Sequence, residues 1–150
     1  MNILNKQYYE ELSGSLRRNR HSFDPEIKRT IEVFEAANNF EIPDYELFYP
    51  KKILLDEPNE IYFFCEDFLY KVDLKSDELF RKTLIKYSSI KSLELLKKGG
   101  DQFYKAISIK IDDTELVFDP DKDSAQYHKR VFLESIDGIY EHLYSKYKEH

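Results

Sequence analysis

Apolar residues at the front of the chain recur with the spacing of a helix. Leu4, Tyr8, Leu12 and Leu16 are four residues apart, which puts them on one helical face. Ser13-Gly14-Ser15 interrupts that face and predicts a bend or a frayed turn. Arg17, Arg18 and Arg20 follow at its C-terminal end, where cations offset the helix dipole. Asp24-Pro25 is a start signal for a second helix, a capping carboxylate followed by a proline in the first turn. Ile27, Ile31 and Phe34 form its stripe and Asn38-Asn39 its stop. Residues 40–50 hold two prolines and four aromatics, too apolar for a free connection. Phe40, Tyr45, Phe48 and Tyr49 are therefore expected to glue the helical front onto the rest.

From Lys52 the period changes to two. Seven short strands are predicted, at about 52–56, 60–66, 68–74, 79–87, 90–97, 102–111 and 115–119. Phe68, Tyr70, Val72 and Leu74 alternate with Lys71, Asp73 and Lys75. Phe103, Ile107, Ile109 and Ile111 face away from Tyr104, Ser108 and Lys110. Glu57-Pro58-Asn59, Ser76-Asp77, Gly99-Gly100-Asp101 and Asp112-Asp113 supply the turns. Ser88-Ser89-Ile90 breaks the period, as a bulge or one helical turn would.

A long amphipathic helix is predicted from about Ser124. Phe132, Ile136, Ile139, Leu143 and Tyr147 share one face. Gly138 inside it costs about 1 kcal/mol relative to Ala, so either that turn bends or something packs too closely for a side chain.

Composition narrows the function. A length of 150 residues is one compact unit, and 12 Tyr and 11 Phe without Trp supply an aromatic core. The net charge of −6 is shared evenly, −3 on residues 1–50 and −3 on the remainder. Nothing supplies the dominant basic surface that nucleic acid requires, and anionic membrane drops for the same reason. One cysteine, Cys65, allows no internal disulfide. No leader or spanning segment is present, so the expected location is the cytoplasm. The excess of 17 lysines over six arginines points to an AT-rich bacterial or phage genome.

Seven short antiparallel strands followed by one amphipathic helix give the order of a pleckstrin-homology-like (PH-like) fold. Leu69-Tyr70-Lys71-Val72 resembles the third strand of bacterial proteins of this type, and Thr83 to Leu93 (TLIKYSSIKSL) resembles their recurring "ipYssIksve" segment. The resemblance covers about residues 51–147. It implies an α+β fold in which a bent sheet closes partly into a barrel plugged by the last helix. It leaves the first 50 residues unexplained, and the periodic pattern there makes the expected organisation a helical extension over 1–50 packed on a PH-like body over 51–150. It also implies a scaffold that holds proteins, peptides or lipids. Lipid-binding relatives carry a basic first hairpin, whereas Lys51 to Glu60 holds three acidic side chains against two lysines.

Specific chemistries fail at identifiable positions. Asp119-Pro120-Asp121-Lys122-Asp123 starts like a calcium loop, but Ser124 and Arg130 stand where glycine and a bidentate glutamate are needed. Its acids are read instead as caps of the last helix. Cys65, beside Glu66 and Asp67, is expected in the core as an unreactive thiol. His21, His128, His142 and His150 have no metal spacing, and at least three are expected at the surface. His128 with Lys129 and Arg130 could join a small basic site. Four glycines cannot build a nucleophile elbow, a phosphate loop or a dinucleotide fingerprint. No catalytic, cofactor or metal residue is therefore assigned, and no small-molecule ligand is implied.

The reading that results is a non-catalytic protein-interaction module of the adaptor, inhibitor or immunity type, binding itself or another protein. Its candidate contacts are Arg17, Arg18 and Arg20 together with Tyr45, Phe48, Tyr49, Tyr140 and Tyr144. The tyrosines beside the last helix, Tyr127 and Tyr147 among them, fit an interface and a core rim equally well. Two alternatives stand beside this one. A hydrolase would use convergent carboxylates such as Asp112, Asp113 or Asp121, and a membrane-surface binder would use Lys51, Lys52 and Arg81.

Overall fold

The computed structural model describes residues 2–149. Helix α1 (Lys6–Arg18) is opened by Asn5, whose side chain accepts the Tyr8 N–H at 2.9 Å. Leu4, expected as the first rung of the helical face, lies outside it. Its N–H donates to Ser135 Oγ at 2.7 Å and its carbonyl accepts from the Phe48 N–H at 3.0 Å, which fixes this buried residue against the next layer. The helix runs unbroken through Ser13-Gly14-Ser15, where the bend was expected. Helix α2 (Pro25–Asn39) starts and stops where the chain signals it, with Asp24 accepting from the Glu26 and Ile27 N–H groups.

The first strand is displaced from its expected position. Strand β1 is Tyr45–Lys51, so the aromatic segment is sheet rather than linker, and a domain boundary at residue 50 falls inside it. Residues 52–56 form a turn in which Lys52 and Leu54 take left-handed backbone, with φ of 68° and 61°. The turn is pinned by Thr30 of α2. Its hydroxyl accepts the Leu54 N–H at 2.9 Å and shares its one proton between the Glu26 carbonyl and Asn59 Oδ1.

The other strands fall near their expected places: β2 (Glu60–Cys65), β3 (Phe68–Ser76), β4 (Leu79–Lys86), β5 (Ile90–Lys98), β6 (Asp101–Ile111) and β7 (Thr114–Phe118). A single 3-10 turn, Tyr87–Ser89, fills the break before β5. All pairings are antiparallel. The strands form a four-stranded sheet ordered β1-β2-β3-β4 and a three-stranded sheet ordered β5-β6-β7, so there is no closed barrel among the described residues. The fold is α+β.

The first sheet is covered on both faces. On one side, Tyr9 of α1 packs its ring 5.2 Å from Phe48 and 5.6 Å from Phe63 and stacks on Phe34 of α2. On the other, Tyr49, Tyr62 and Phe64 close on Phe118 at 4.8–5.8 Å. This is why Ile61-Tyr62-Phe63-Phe64-Cys65 is a continuous apolar run: a strand with no solvent face has no reason to alternate.

After β7 the chain makes a short helix α3 (Pro120–Asp123) and a 3-10 turn before helix α4 (Lys129–Lys148). The last helix therefore begins at Lys129 rather than near Ser124. Asp119 caps α3 by accepting the Asp121 N–H, while His128 at the start of α4 makes no side-chain cap. Phe132, Ile136, Ile139 and Leu143 are buried as the spacing requires. A methyl group at Gly138 would stand 3.3 Å from Leu47 Cδ1, a tight contact with the end of a flexible side chain. No helix among the described residues is long and apolar enough to cross a membrane.

Candidate interaction surface

Three short connections shape the tip of the α1–α2 hairpin. The Asn19, Arg20 and Ser22 N–H groups donate to the Leu16, Arg17 and Asn19 carbonyls, and Asn19 Nδ2 donates to the Ser15 carbonyl at 2.9 Å. Ser22 Oγ then accepts the Asp24 N–H and leads into the cap of α2. This compact turn points Arg17, Arg18, Arg20 and His21 into solvent. The protein has six arginines. Arg29, Arg81 and Arg130 pair with Asp56, Asp73 and Glu134 at 3.5, 2.8 and 2.9 Å. The three without a carboxylate partner among the described residues are Arg17, Arg18 and Arg20.

Beside them Phe23 is 93% exposed, the most exposed large apolar side chain described. Sequence reasoning passed over it because it lies between the stripes of two helices and belongs to neither. That position was itself the signal, since an aromatic residue in a polar connection has no core to enter.

The remaining predicted contacts divide. Phe48 and Tyr49 are completely buried and present nothing to a partner, which corrects their assignment as surface residues. Tyr45 is half-buried, its ring 4.9 Å from Phe63. Tyr140 is half-buried and stacks on the exposed Tyr144 with centroids 6.3 Å apart. Phe103, expected to share a face of β6 with Ile107, Ile109 and Ile111, is 72% exposed near the start of the strand, where Asp101 accepts the Phe103 and Tyr104 N–H groups. Phe103 and Leu133 line a shallow depression of about 660 Å³ beside α4, and Tyr127 stands exposed nearby on the same helix approach. The cations around that depression, Lys105, Lys129 and Arg130, are each neutralised by Asp137, Asp121 or Glu134.

Internal pairing also occupies the groups that other chemistries would use. Lys51 Nζ is 2.9 Å from buried Asp123, Lys52 Nζ is 3.8 Å from the same carboxylate, and Arg81 makes two bonds to Asp73. Asp121 is held by Lys98 and Lys129 at 2.8 and 2.9 Å, and these two ammonium groups keep its carboxyl below the usual range. Asp112 and Asp113 sit exposed in the β6–β7 turn, in a different element from Asp121. Burial, reinforced by Asp44 and Asp67, pushes the Cys65 thiol up to about 12.

Two histidines expected at the surface are half-buried instead. His128 Nδ1 lies 2.7 Å from Tyr8 Oη and His142 Nε2 lies 3.0 Å from Tyr87 Oη. Burial lowers both imidazole pKa values, with Lys146 lowering His142 further. His21 is exposed, and His150 lies outside the described residues. No group of three or more His, Cys, Asp or Glu side chains able to hold a metal occurs among the described residues.

No family model, curated protein or solved structure matches the chain.

Proposed function

We propose that the chain is a non-catalytic protein-interaction module of the adaptor, inhibitor or immunity type, and that the Arg17–Phe23 tip is the surface it presents. The observation that carries this reading is Phe23, exposed beside three arginines that have no carboxylate partner among the described residues. Binding hot spots are enriched in arginine, tryptophan and tyrosine, and phenylalanine is enriched at protein interfaces. An unpaired guanidinium can form fork-like bonds to a partner carboxylate without first breaking a bond of its own.

The stacked Tyr9 and Phe34 rings, 5.2 Å apart, pack α1 on α2 at the end of the hairpin away from the tip, and the tip itself is closed by the backbone bonds of Asn19, Arg20 and Ser22. The chain carries −6 overall, and without the three arginines the remainder carries −9. A compact positive tip on a negative body steers toward a locally acidic protein surface and repels most others. Three cations are too few for a nucleic-acid footprint.

The body is read as PH-like. What supports this is the order of four antiparallel strands, three antiparallel strands and a C-terminal helix whose apolar face fills the space between the sheets. The N-terminal helices then form an added layer that carries the binding tip. Affinity capture from the native host tests the reading, comparing the wild-type chain with R17Q/R18Q/R20Q. A partner retained by the first and lost by the second is expected. Equal retention by both would remove the tip from the binding surface.

A further inference from the structure

On the outer flank of α2 a groove runs between that helix, the 52–59 turn and the β3–β4 hairpin. It consists of two depressions, of about 370 and 430 Å³, that share Glu32 and Phe80. Its floor is apolar, made by Val33, Leu74, Phe80 and Phe40. Its rims carry seven carboxylates against two cations, Arg29 and Lys75. Four of the seven are engaged with Arg29, Lys52, Lys71 or Arg81. Glu32, Glu35 and Glu78 have no ion-pair partner among the described residues. Three carboxylates without an ion-pair partner among the described residues thus line an apolar floor, and three such guanidiniums lie within six residues of an exposed phenyl ring on the same molecule.

Resting on the reading of the tip as a binding surface, we propose that the groove receives the Arg17–Phe23 tip of a second copy of this chain. Phe23 covers the floor formed by Val33 and Phe80. Arg17, Arg18 and Arg20 pair with Glu32, Glu35 and Glu78. Both surfaces lie along one helix: the tip leads directly into α2, and the groove flanks its middle and C-terminal turns. At 1.5 Å of rise per residue, Phe23 and Glu35 are separated by about 18 Å along that axis. Two copies of α2 laid antiparallel bring each tip to the other's groove together, so the contact closes as a twofold dimer and leaves no unsatisfied end to propagate.

The charge pattern allows a swap. In R17E/R18E/R20E both elements are acidic, and in E32K/E35K/E78K both are basic, so each variant repels itself. Mixed one to one, each tip again meets a groove of opposite charge. Sedimentation equilibrium of the full chain, at concentrations up to about 100 μM, reads the mass of each sample, and thermal melts verify that the variants fold. The expected result is a dimer of 18.1 kDa chains for the wild type. Its dissociation constant should rise at least tenfold in about 0.5 M salt. Each swap variant alone should be a monomer, and the mixture should be a heterodimer. F23A, which changes no charge, is also expected to be a monomer.

A wild-type chain that stays monomeric at every concentration overturns the proposal, as does a dimer that persists in both swap variants. If the wild type is monomeric and R17Q/R18Q/R20Q still loses a captured partner, the tip remains a binding surface and only its second-copy occupant is wrong.

Discussion

Tyr49 Oη donates to Asp123 Oδ2 at 2.8 Å, joining β1 to α3 across 74 residues of chain. Asp123 is fully buried, and its carboxylate also accepts from Lys51 Nζ at 2.9 Å and from the Asp119 N–H at 2.8 Å. Lys51 extends further to the Val117 carbonyl. This aspartate therefore holds the first sheet against the chain that leaves the second. Burial, then the neighbouring carboxylate, keeps the Tyr49 phenol protonated and able to donate.

Replacing Asp123 with Ala strands a partly buried ammonium and a buried phenol. Loss of one partner from a buried pair costs about 3–5 kcal/mol, whereas Tyr49→Phe removes a single hydrogen bond and costs about 1 kcal/mol. Urea unfolding of both variants measures the difference. Equal costs would mean that the lysine pair contributes nothing.

Gly138→Ala sets helix propensity against a close contact. The helix gains about 1 kcal/mol, and the contacting atom is the movable end of the half-buried Leu47 side chain at 3.3 Å. A net stabilisation of about 0.5 kcal/mol is expected, read as a rise in melting temperature. Gly138→Leu, which cannot be accommodated by a small shift of Leu47, should lower it.

Burial, joined by Lys146 at His142, lowers the pKa values of His128 and His142 from 6.5 in the folded chain. Above 6.5 neither folded nor unfolded chain holds the extra proton, so stability does not depend on these groups. Below 6.5 the unfolded chain takes up protons that the folded chain resists, and stability falls with pH. His142 faces Tyr87, Lys146 and Glu66, and His128 faces Tyr8 and Tyr127. Denaturation at about pH 7.5 and about pH 5.5 should show the loss, and His142→Gln should make the slope shallower. The carboxyl held low by lysines, Asp121, contributes in a separate and more acidic window, below 3.8.

Cys65 is buried, its thiol is pushed up to about 12, and it donates to the Pro43 carbonyl. Alkylation by iodoacetamide should therefore be slow in the folded chain and fast in urea. Comparable rates in both would place the thiol in solvent.

Much of this architecture was legible in local signals. Asp24-Pro25 and Asn38-Asn39 bound α2 because capping and termination are chemistry of adjacent residues. The existence of β3 and the broken period at Ser88-Ser89 were readable for the same reason, but the expected alternation in β3 is not observed, because Leu69 and Asp73 are buried and Leu74 is exposed. β1 was placed several residues late because both its faces are covered, and Phe48, Tyr49 and Pro50 are buried in succession with no alternation to detect. The proline, normally a breaker, is tolerated because its missing N–H lies on a strand with only one partner over that stretch. Arg17, Arg18 and Arg20 were visible as a run, but their lack of carboxylate partners among the described residues was not. The acidic groove was not visible at all, since Glu32 and Glu78 meet only when α2 packs beside the β3–β4 hairpin.

The most direct test of the account places a photo-crosslinking amino acid at position 23 of the full chain in its native host, with position 113 in the exposed β6–β7 turn as control. A discrete crosslinked protein is expected from position 23, abolished by R17Q/R18Q/R20Q and absent from position 113. Indistinguishable products from both positions, or none from position 23, would contradict it.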